Sequence, residues 1–480
     1  MNSHLAFSIR RSQLADRTLI PKFYDPDISA SISDAQSDYE VPELRELLLL
    51  GDEGSRLGHW IRREEYGGGD VPFVRTSDLS HWRIRLDFKK GVSIDVYKRL
   101  KDQQDVRPCD LLMVAHGTYL VGTVAMVMAE DVPMVLQDHV FRLRVDPASG
   151  VDPYVLLAAL STGFVRRQVR ARQFSADIID KIGNRHLGLR VAIPKSKDGN
   201  EEIRARVKAV LDQQTETRRR IQEASQSDLR MSRERADARL GFPVRRLALT
   251  NRILIPKYYD PVVGADLQLA EQNAGEPWVT LGQLADERLI SCENGVEVGK
   301  MAYGTGNIPF IRTSDLTGWE VKLDVRQGVS QDVYDQHWVR GSVQEDDVLV
   351  VRDGTYLVGS SALITSAEVP ALICGGIVRI RTLDPEIVSP YALLAFLNLP
   401  LVRRQMRTKQ FTRDVIDTLG ARLLEIKVPD PRSEQAQSLA SSVRSIMLSK
   451  LGVKYEIGKI VSICAPHVTR ATDRPGWSMR

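Results

Sequence analysis

Cysteine is scarce. Cys109, Cys292, Cys374 and Cys464 are the four in the chain, and none forms a C-x-x-C pair. That fits neither a zinc site nor a disulfide framework and points to a reducing cytosol. No run approaches the roughly 20 apolar residues that a membrane helix needs. Met1 to Arg17 has no apolar centre, so a secretory signal is not expected there. The expectation is a cytoplasmic protein with no membrane partner. The eight histidines are scattered without an H-x-x-x-H pair, which leaves metal-dependent hydrolysis without ligands. An adenine methyltransferase needs an Asn/Asp-Pro-Pro-aromatic loop for its flipped base. Tyr24-Asp25-Pro26 and Tyr259-Asp260-Pro261 have the wrong order and one proline each. Gly295 to Met301 is one residue short of a phosphate loop and lacks the Ser/Thr that would hold Mg²⁺. Asp430-Pro431 has no E-x-K after it, which argues against a nuclease. These enzyme readings therefore find no support in the motifs.

What is present is a duplication. Pro72-Phe73-Val74-Arg75-Thr76-Ser77-Asp78-Leu79 returns as Pro309-Phe310-Ile311-Arg312-Thr313-Ser314-Asp315-Leu316, 237 residues later. Gly117-Thr118-Tyr119-Leu120-Val121-Gly122 returns at Gly354 to Gly359, and Val165 to Gln168 at Val402 to Gln405, in the same register. A period this long means two domains and not a solenoid. The 480 residues allow two domains that each bury a core. A net charge of +4 permits nucleic-acid binding without demanding it.

Each copy opens on Leu-Ile-Pro-Lys, at Leu19 and Leu254, and runs to Asp-Pro, which reads as an extended segment ending in a turn. Gly51 to Gly69 and Gly295 to Gly306 read as loops. Asp347 to Val351, the Asp353-Gly354 pair and the run from Tyr356 to Ile364 read as a hairpin. Ile377 to Arg381 and Val140 to Arg144 alternate as half-buried strands do. Pro153 and Pro390 each begin a helix. Each copy closes on Gln-Phe-x-x-Asp (Gln173 to Asp180; Gln410 to Asp417) and a last strand. Glu201 to Leu240 has no Pro and no Gly, and Ile203, Val207, Val210, Leu211, Ile221 and Ala224 form a stripe. It reads as one helix of about 60 Å. Ser433 to Ile463 is the same kind of segment, with Ser433 as cap and Gly452 expected to end or bend it. Two amphipathic helices placed this way are expected to pair.

Taken in order, Ile308 to Leu316, Asp347 to Gly359, Gly375 to Arg381 and Pro429 to Gln435 resemble the target recognition domain of type I restriction–modification specificity subunits. The resemblance spans nearly the whole chain. Copy one departs at Ile193-Pro194-Lys195-Ser196-Lys197, where that family shows a Pro-rich turn and Glu-Gln. It implies an α+β fold: two tandem β-rich target recognition domains, joined and followed by long helices forming an antiparallel coiled-coil-like pair. The expected division is an arm at 1–17, recognition domains at 18–200 and 241–430, helices at 201–240 and 431–463, and a tail at 464–480. The resemblance further implies a non-catalytic DNA-binding specificity subunit with no cofactor of its own, each copy reading half of a split target in double-stranded DNA. Its helices would dock two adenine-N6 methyltransferase subunits, which bind S-adenosylmethionine, with a restriction or translocase subunit as a further partner. Another anti-phage defence assembly, or a scaffold without DNA, are the alternatives.

Candidate DNA contacts fall in three groups. Arg75, Thr76, Arg312 and Thr313 suit phosphate or guanine contacts, or else the arginines pair with Asp78 and Asp315 to hold the loop. His116, Thr118 and Tyr119, with Arg352, Thr355 and Tyr356, sit at hairpin tips whose glycines serve the turn. Arg166 and Arg167, with Arg403, Arg404 and Lys409, are basic clusters at helix ends, which reach phosphate or are solvated faces. The divergent stretches Arg56 to Gly69 and Glu293 to Gly306 are expected to discriminate bases, and the shared Gly-Thr-Tyr tips point to related half-site words.

Overall fold

The computed structural model describes residues 9, 11, 14, 18–67, 69–85, 91–117, 120–175, 180–225, 241–246, 249, 253–274, 278–322, 328–354, 357–413 and 416–465. The chain divides into two compact units. One comprises 1–212 with 455–480, the other 213–454.

Unit 1 is built on an antiparallel sheet of β1 (Ser55–Leu57), β2 (Leu111–Val114), β3 (Val124–Met126) and β4 (Val140–Leu143), in the order β1-β4-β2-β3. Unit 2 repeats it with β5 (Ile290–Asn294), β6 (Val348–Val351), β7 (Ser361–Leu363) and β8 (Ile377–Thr382), in the order β5-β8-β6-β7. The repeat holds to the residue: Leu112 faces Arg142, and Leu349 faces Arg379. β2 and β6 are buried throughout, as central strands covered on both faces should be. The apolar helices Pro153–Leu160 and Pro390–Asn398 lie in the two cores.

Several local expectations are corrected. Asp25-Pro26 and Asp260-Pro261 are not chain turns. Each follows one 3-10 turn and starts an α-helix, Pro26–Ala35 and Pro261–Ala274. Asp25 accepts the Asp27 N–H at 3.0 Å and Asp260 the Val262 N–H at 2.9 Å, so Asp-Pro is cap and first helical residue. The Gly51 stretch is not all loop, because Ser55–Leu57 forms the edge strand of the sheet. The alternating strands are not half-buried. Arg142 and Arg379 sit inside, where the Asp52 and Glu53 carbonyls take one guanidinium and Glu293 with the Ser342 carbonyl takes the other. The expected hairpin does form: β6 pairs antiparallel with β7, Val348 with Leu363 to Val350 with Ser361, and Asp353 and Gly354 lie beyond the last pair of the ladder. Gly359 is left-handed (φ 82°), and a Cβ there would lie 2.7 Å from Met406 Sδ, which holds the returning chain against a helix.

The long helices are present. The first, α1, spans Lys197–Ser225, and the second, α2, spans Glu434–Cys464. Residues 226–240 of the expected first helix lie outside the described residues. Ser196 and Ser433, 237 residues apart, start them alike: each hydroxyl accepts an N–H, from Gly199 and Ala436, at 3.2 Å. The odd junction of copy one is thus capped like the other. Gly452 does not end α2, which runs through it. The expected stripe of α1 is buried, with Ala224 half-buried, and Thr217 completes it by returning its hydroxyl to the Gln213 carbonyl at 2.7 Å. In unit 1, Arg206 Nε donates to Glu456 at 2.7 Å. In unit 2, Gln213 Nε2 and Thr217 Oγ1 each lie 3.0 Å from Ser449 Oγ, and Arg220 reaches the Ser442 carbonyl at 3.5 Å. No helix among the described residues is long and apolar enough to cross a membrane.

Candidate nucleic-acid interface

In each unit the loop after the central strand is bound to a second hairpin. That hairpin is Phe174–Ser175 with Asp180–Lys181 in unit 1, and Phe411–Arg413 with Ile416–Thr418 in unit 2. Gly117 N–H donates to the Asp180 carbonyl at 3.0 Å, and Gly354 N–H to the Asp417 carbonyl at 2.9 Å. Ile182 N–H reaches the Ala115 carbonyl and Leu419 N–H the Arg352 carbonyl, both at 3.1 Å. Both glycines have positive φ, 132° and 147°, backbone that an L side chain rarely adopts. The hairpins are braced alike. Gln173 Nε2 donates to Asp180 at 3.1 Å and Gln410 Nε2 to Asp417 at 3.2 Å. Arg185 and Arg422 cover Phe174 and Phe411 at 4.3 and 3.9 Å, and donate to carbonyls at 172 and 181, and at 409 and 418.

On this common frame the side chains differ. His116 packs at a tilt against His139 in unit 1, with Lys181 opposite it across an antiparallel bridge. Burial, then His139 and Lys181, lower the His116 pKa, while Asp138 opposes them. The corresponding positions of unit 2 are Asp353, Gly376 and Thr418. There Arg352 donates to Asp353 at 3.0 Å through Nε and 2.6 Å through Nη2, and Thr412 Oγ1 donates to Asp417 at 2.6 Å. His116, Arg352 and Asp353 are half-buried, not fully exposed, because the second hairpin lies on their loops. Thr118, Tyr119, Thr355 and Tyr356 lie outside the described residues.

Arg75 and Arg312 follow the short strands Phe73–Val74 and Phe310–Ile311. Each backbone N–H donates to the buried Asp three residues on at 2.9 Å, and each guanidinium pairs with that carboxylate, at 3.3 and 3.6 Å. Thr76 and Thr313 begin the 3-10 turns that follow. A Cβ on Gly376 would lie 2.9 Å from Thr313 Cγ2 and 3.7 Å from Asp353 Cβ, so this element meets the loop there.

The helix-end arginines divide. Arg166 is half-buried, and Arg167 pairs with Asp27 at 3.1 Å. Arg404 pairs with the buried Asp266, and Lys409 with Glu425 at 2.8 Å while lying 4.1 Å over the Tyr258 ring. These three face the first helix or turn of their own unit. Arg403 reaches the other way, to within 3.4 Å of a Cβ built on Gly359 in the loop. His139 and the paired Gln and Asp of each second hairpin were missed as site residues. The Gln-x6-Asp spacing, kept in both copies, was the available signal; nothing local marks His139. No group of three potential metal ligands occurs among the described residues.

No family model and no curated protein matches the chain. Solved structures do. The type I restriction–modification S subunit from M. genitalium is 14% identical, with 90% of this chain and 97% of that one aligned at a TM-score of 0.36. The HsdS subunit from Thermoanaerobacter tengcongensis is 15% identical, with 89% and 94% aligned at 0.27. A structure of the type I R-M system, described for its complex assembly and conformational transition, is 14% identical, with 89% and 97% aligned at 0.28. At such scores the function has to be argued from the residues of this chain.

Proposed function

We propose that the chain is the DNA-recognition subunit of a type I restriction–modification assembly, each unit reading half of a split target. One observation carries this. The same two-loop frame is built twice, 237 residues apart, with matching backbone hydrogen bonds, a shared Gly-Thr-Tyr and different side chains flanking it. A shared frame with divergent hydrogen-bonding groups suits two related readers of two words. Scaffolding alone would not require polar groups to diverge where the backbone is kept.

Within this reading, His116 and Arg352 are the described residues set against base edges, with Thr118, Tyr119, Thr355 and Tyr356 as further candidates. Arg75, Thr76, Arg312 and Thr313 hold and extend that surface. Arg166, Arg167, Arg403, Arg404 and Lys409 are phosphate candidates, of which Arg403 stands nearest the loop. The α1 and α2 helices pair antiparallel. Rising numbers on α1 (206, 213, 220) meet falling numbers on α2 (456, 449, 442), each bond lying within one unit. That pair sets the gap between words and docks two adenine-N6 methyltransferase subunits, whose S-adenosylmethionine supplies the methyl group. The chain contributes recognition and no catalysis.

The test is co-purification with an adenine methyltransferase and mapping of N6-methyladenine in host DNA. A split motif with a fixed gap, lost on deleting this chain, is expected. Methylation unchanged by the deletion would overturn the reading.

A further inference from the structure

The foot of the second hairpin carries its own anion in unit 2 and none in unit 1. In unit 2, Glu425 pairs with Lys409 at 2.8 Å and accepts from the Tyr258 hydroxyl, and Lys409 lies 4.1 Å over the Tyr258 ring. The matching residues of unit 1 are Gly188, Arg172 and Phe23. Carboxylate and hydroxyl are lost together, and the cation stays. The cations of unit 1 are met by neutral oxygens. Arg172 Nη1 donates to Gln168 Oε1 at 3.0 Å, Lys22 Nζ to the Gln173 carbonyl at 2.6 Å, and Arg185 to the carbonyls at 172 and 181. Arg172 lies 5.7 Å over Phe23, and Arg185 and Lys22 lie 4.3 and 5.6 Å over Phe174. Burial lowers the Arg185 pKa, and no acid opposes it. Burial also lowers that of Arg172, with Glu43 opposing and Arg190 adding. Glu43 is itself held by Arg45 at 2.8 Å and Arg190 at 3.2 Å, and Glu46 lies 4.0 Å from Arg190. Asp180, bound to Gln173, has its equal in Asp417, bound to Gln410, so it does not distinguish the units.

We propose that unit 1 takes a phosphate group in the place that the Glu425 carboxylate fills in unit 2, with Arg172 and Arg45 as its ligands and Lys22 and Arg185 adding to the field. The place is open. Of the described residues, Arg45 alone comes within 4 Å of a Cβ built on Gly188, through Nη2 at 3.6 Å. Unit 2 shows what such a place accepts, which is an anionic oxygen beside a cation at the base of the hairpin. Carboxylate and phosphate are alike as charge-assisted acceptors. The choice of cation agrees. The planar guanidinium of Arg172 matches phosphate with two parallel donors, whereas the Lys409 ammonium serves an anion already fixed in the chain. A half-buried cation with no carboxylate of its own gains most from an anion brought to it. That the phosphate belongs to duplex DNA rests on the proposed function. The hairpin lies on the loop that carries His116, so a phosphate held at its foot positions the duplex and leaves the reading of bases to the loop. In unit 2, Glu425 closes the place, and the contact belongs to one half of the target.

Variants of the full chain test this with inorganic phosphate and with duplex DNA. Gly188→Glu gives unit 1 the anion of unit 2. Gly188 does not have positive φ and leaves room for a side chain, so the variant is expected to fold. Inorganic phosphate exchanged for chloride at constant ionic strength should raise the melting temperature of the parent and not that of Gly188→Glu. On duplex DNA, the slope of log affinity against log salt should become shallower by about 0.9 in Gly188→Glu, the amount of one phosphate contact, and equally on target and scrambled sequence. Gly188→Gln has the same shape without the charge and should keep the parent's slope. Arg172→Gln removes the cation itself and should match Gly188→Glu. A slope unchanged in Gly188→Glu, or shifted as far by Gly188→Gln, overturns the site and leaves DNA recognition standing. If inorganic phosphate stabilises the parent and not Gly188→Glu while no duplex binds, the anion site stands and the functional reading fails.

Discussion

The ring of His116 lies against that of His139, centroids 4.7 Å apart, and His116 Nδ1 is buried without a hydrogen-bond partner. Three neighbours bear on that ring. His139 and Lys181 disfavour its charge, and Asp138, 3.9 Å from His139, favours it. With burial the leading cause, His116 stays neutral to lower pH than a free histidine. A phosphate or base acceptor brought to it would pull the proton back. Affinity for the word read by unit 1 should therefore rise as pH falls below the ordinary histidine range near 6.5, while the other word shows no matching rise. Binding titrations across pH with each word scrambled in turn check this. His116→Asn should flatten the curve, and a pH response unchanged by it would remove His116 from the contact.

His186 is buried in unit 1. Its Nδ1–H donates to the Gly183 carbonyl at 2.7 Å, Ser55 Oγ sits 2.7 Å from Nε2, and Phe141 stacks on it at 4.0 Å. Burial pushes its pKa down to about 4. A histidine depressed in the folded state binds its proton more readily when unfolded. Its contribution is present above about pH 6.5 and is lost as pH falls toward 4, with roughly 3 kcal/mol at stake. The matching residue of unit 2 is Leu423. His186→Leu should leave unit 1 folded at neutral pH and remove that part of its acid sensitivity. Denaturant melts at pH 4.5 and 7.5 measure the difference, and an unchanged difference would show that other groups carry it.

Arg352 donates twice to Asp353, and both are about a quarter exposed. An ion pair so placed is worth about 0–1 kcal/mol, so Arg352→Ala should hardly move the melting temperature. If the guanidinium reads a base, specific binding should weaken by about 1–3 kcal/mol at that position only. Equal loss on specific and unrelated DNA would assign Arg352 to phosphate.

Inserting four residues, one turn, into both α1 and α2 should lengthen the helix pair by about 6 Å. The selected DNA should keep both words and change the gap between them. Selection from random duplexes reads both at once, and changed words would refute a helix pair that only measures distance.

Much of the frame was legible because it is local and repeated. The duplication, the central strands, the Pro-started helices and the apolar stripes of α1 and α2 each rest on neighbours in the chain or on a constant offset. The Asp-Pro signals misled because Asp and Pro serve turns and helix starts alike. Only the Asp25 and Asp260 carboxylates accepting from N–H groups two residues on decide between them. Gly452 misled because an exposed glycine costs a helix about 1 kcal/mol, which flanking burial of Met447, Val453 and Lys454 outweighs.

The sequence by itself determined that there are two like domains, where their strands and long helices run, and which polar positions differ between them. Periodicity and internal repetition are properties of a linear chain. The tertiary structure alone decided which residues share a tip, which arginines are spent inside and which lysine is buried. His116 meets His139 across 23 residues, Arg404 meets Asp266 across 138, and Lys454 meets Glu368 across 86. A buried charge takes whatever partner the packed chain brings within reach, and sequence distance sets no limit on that choice.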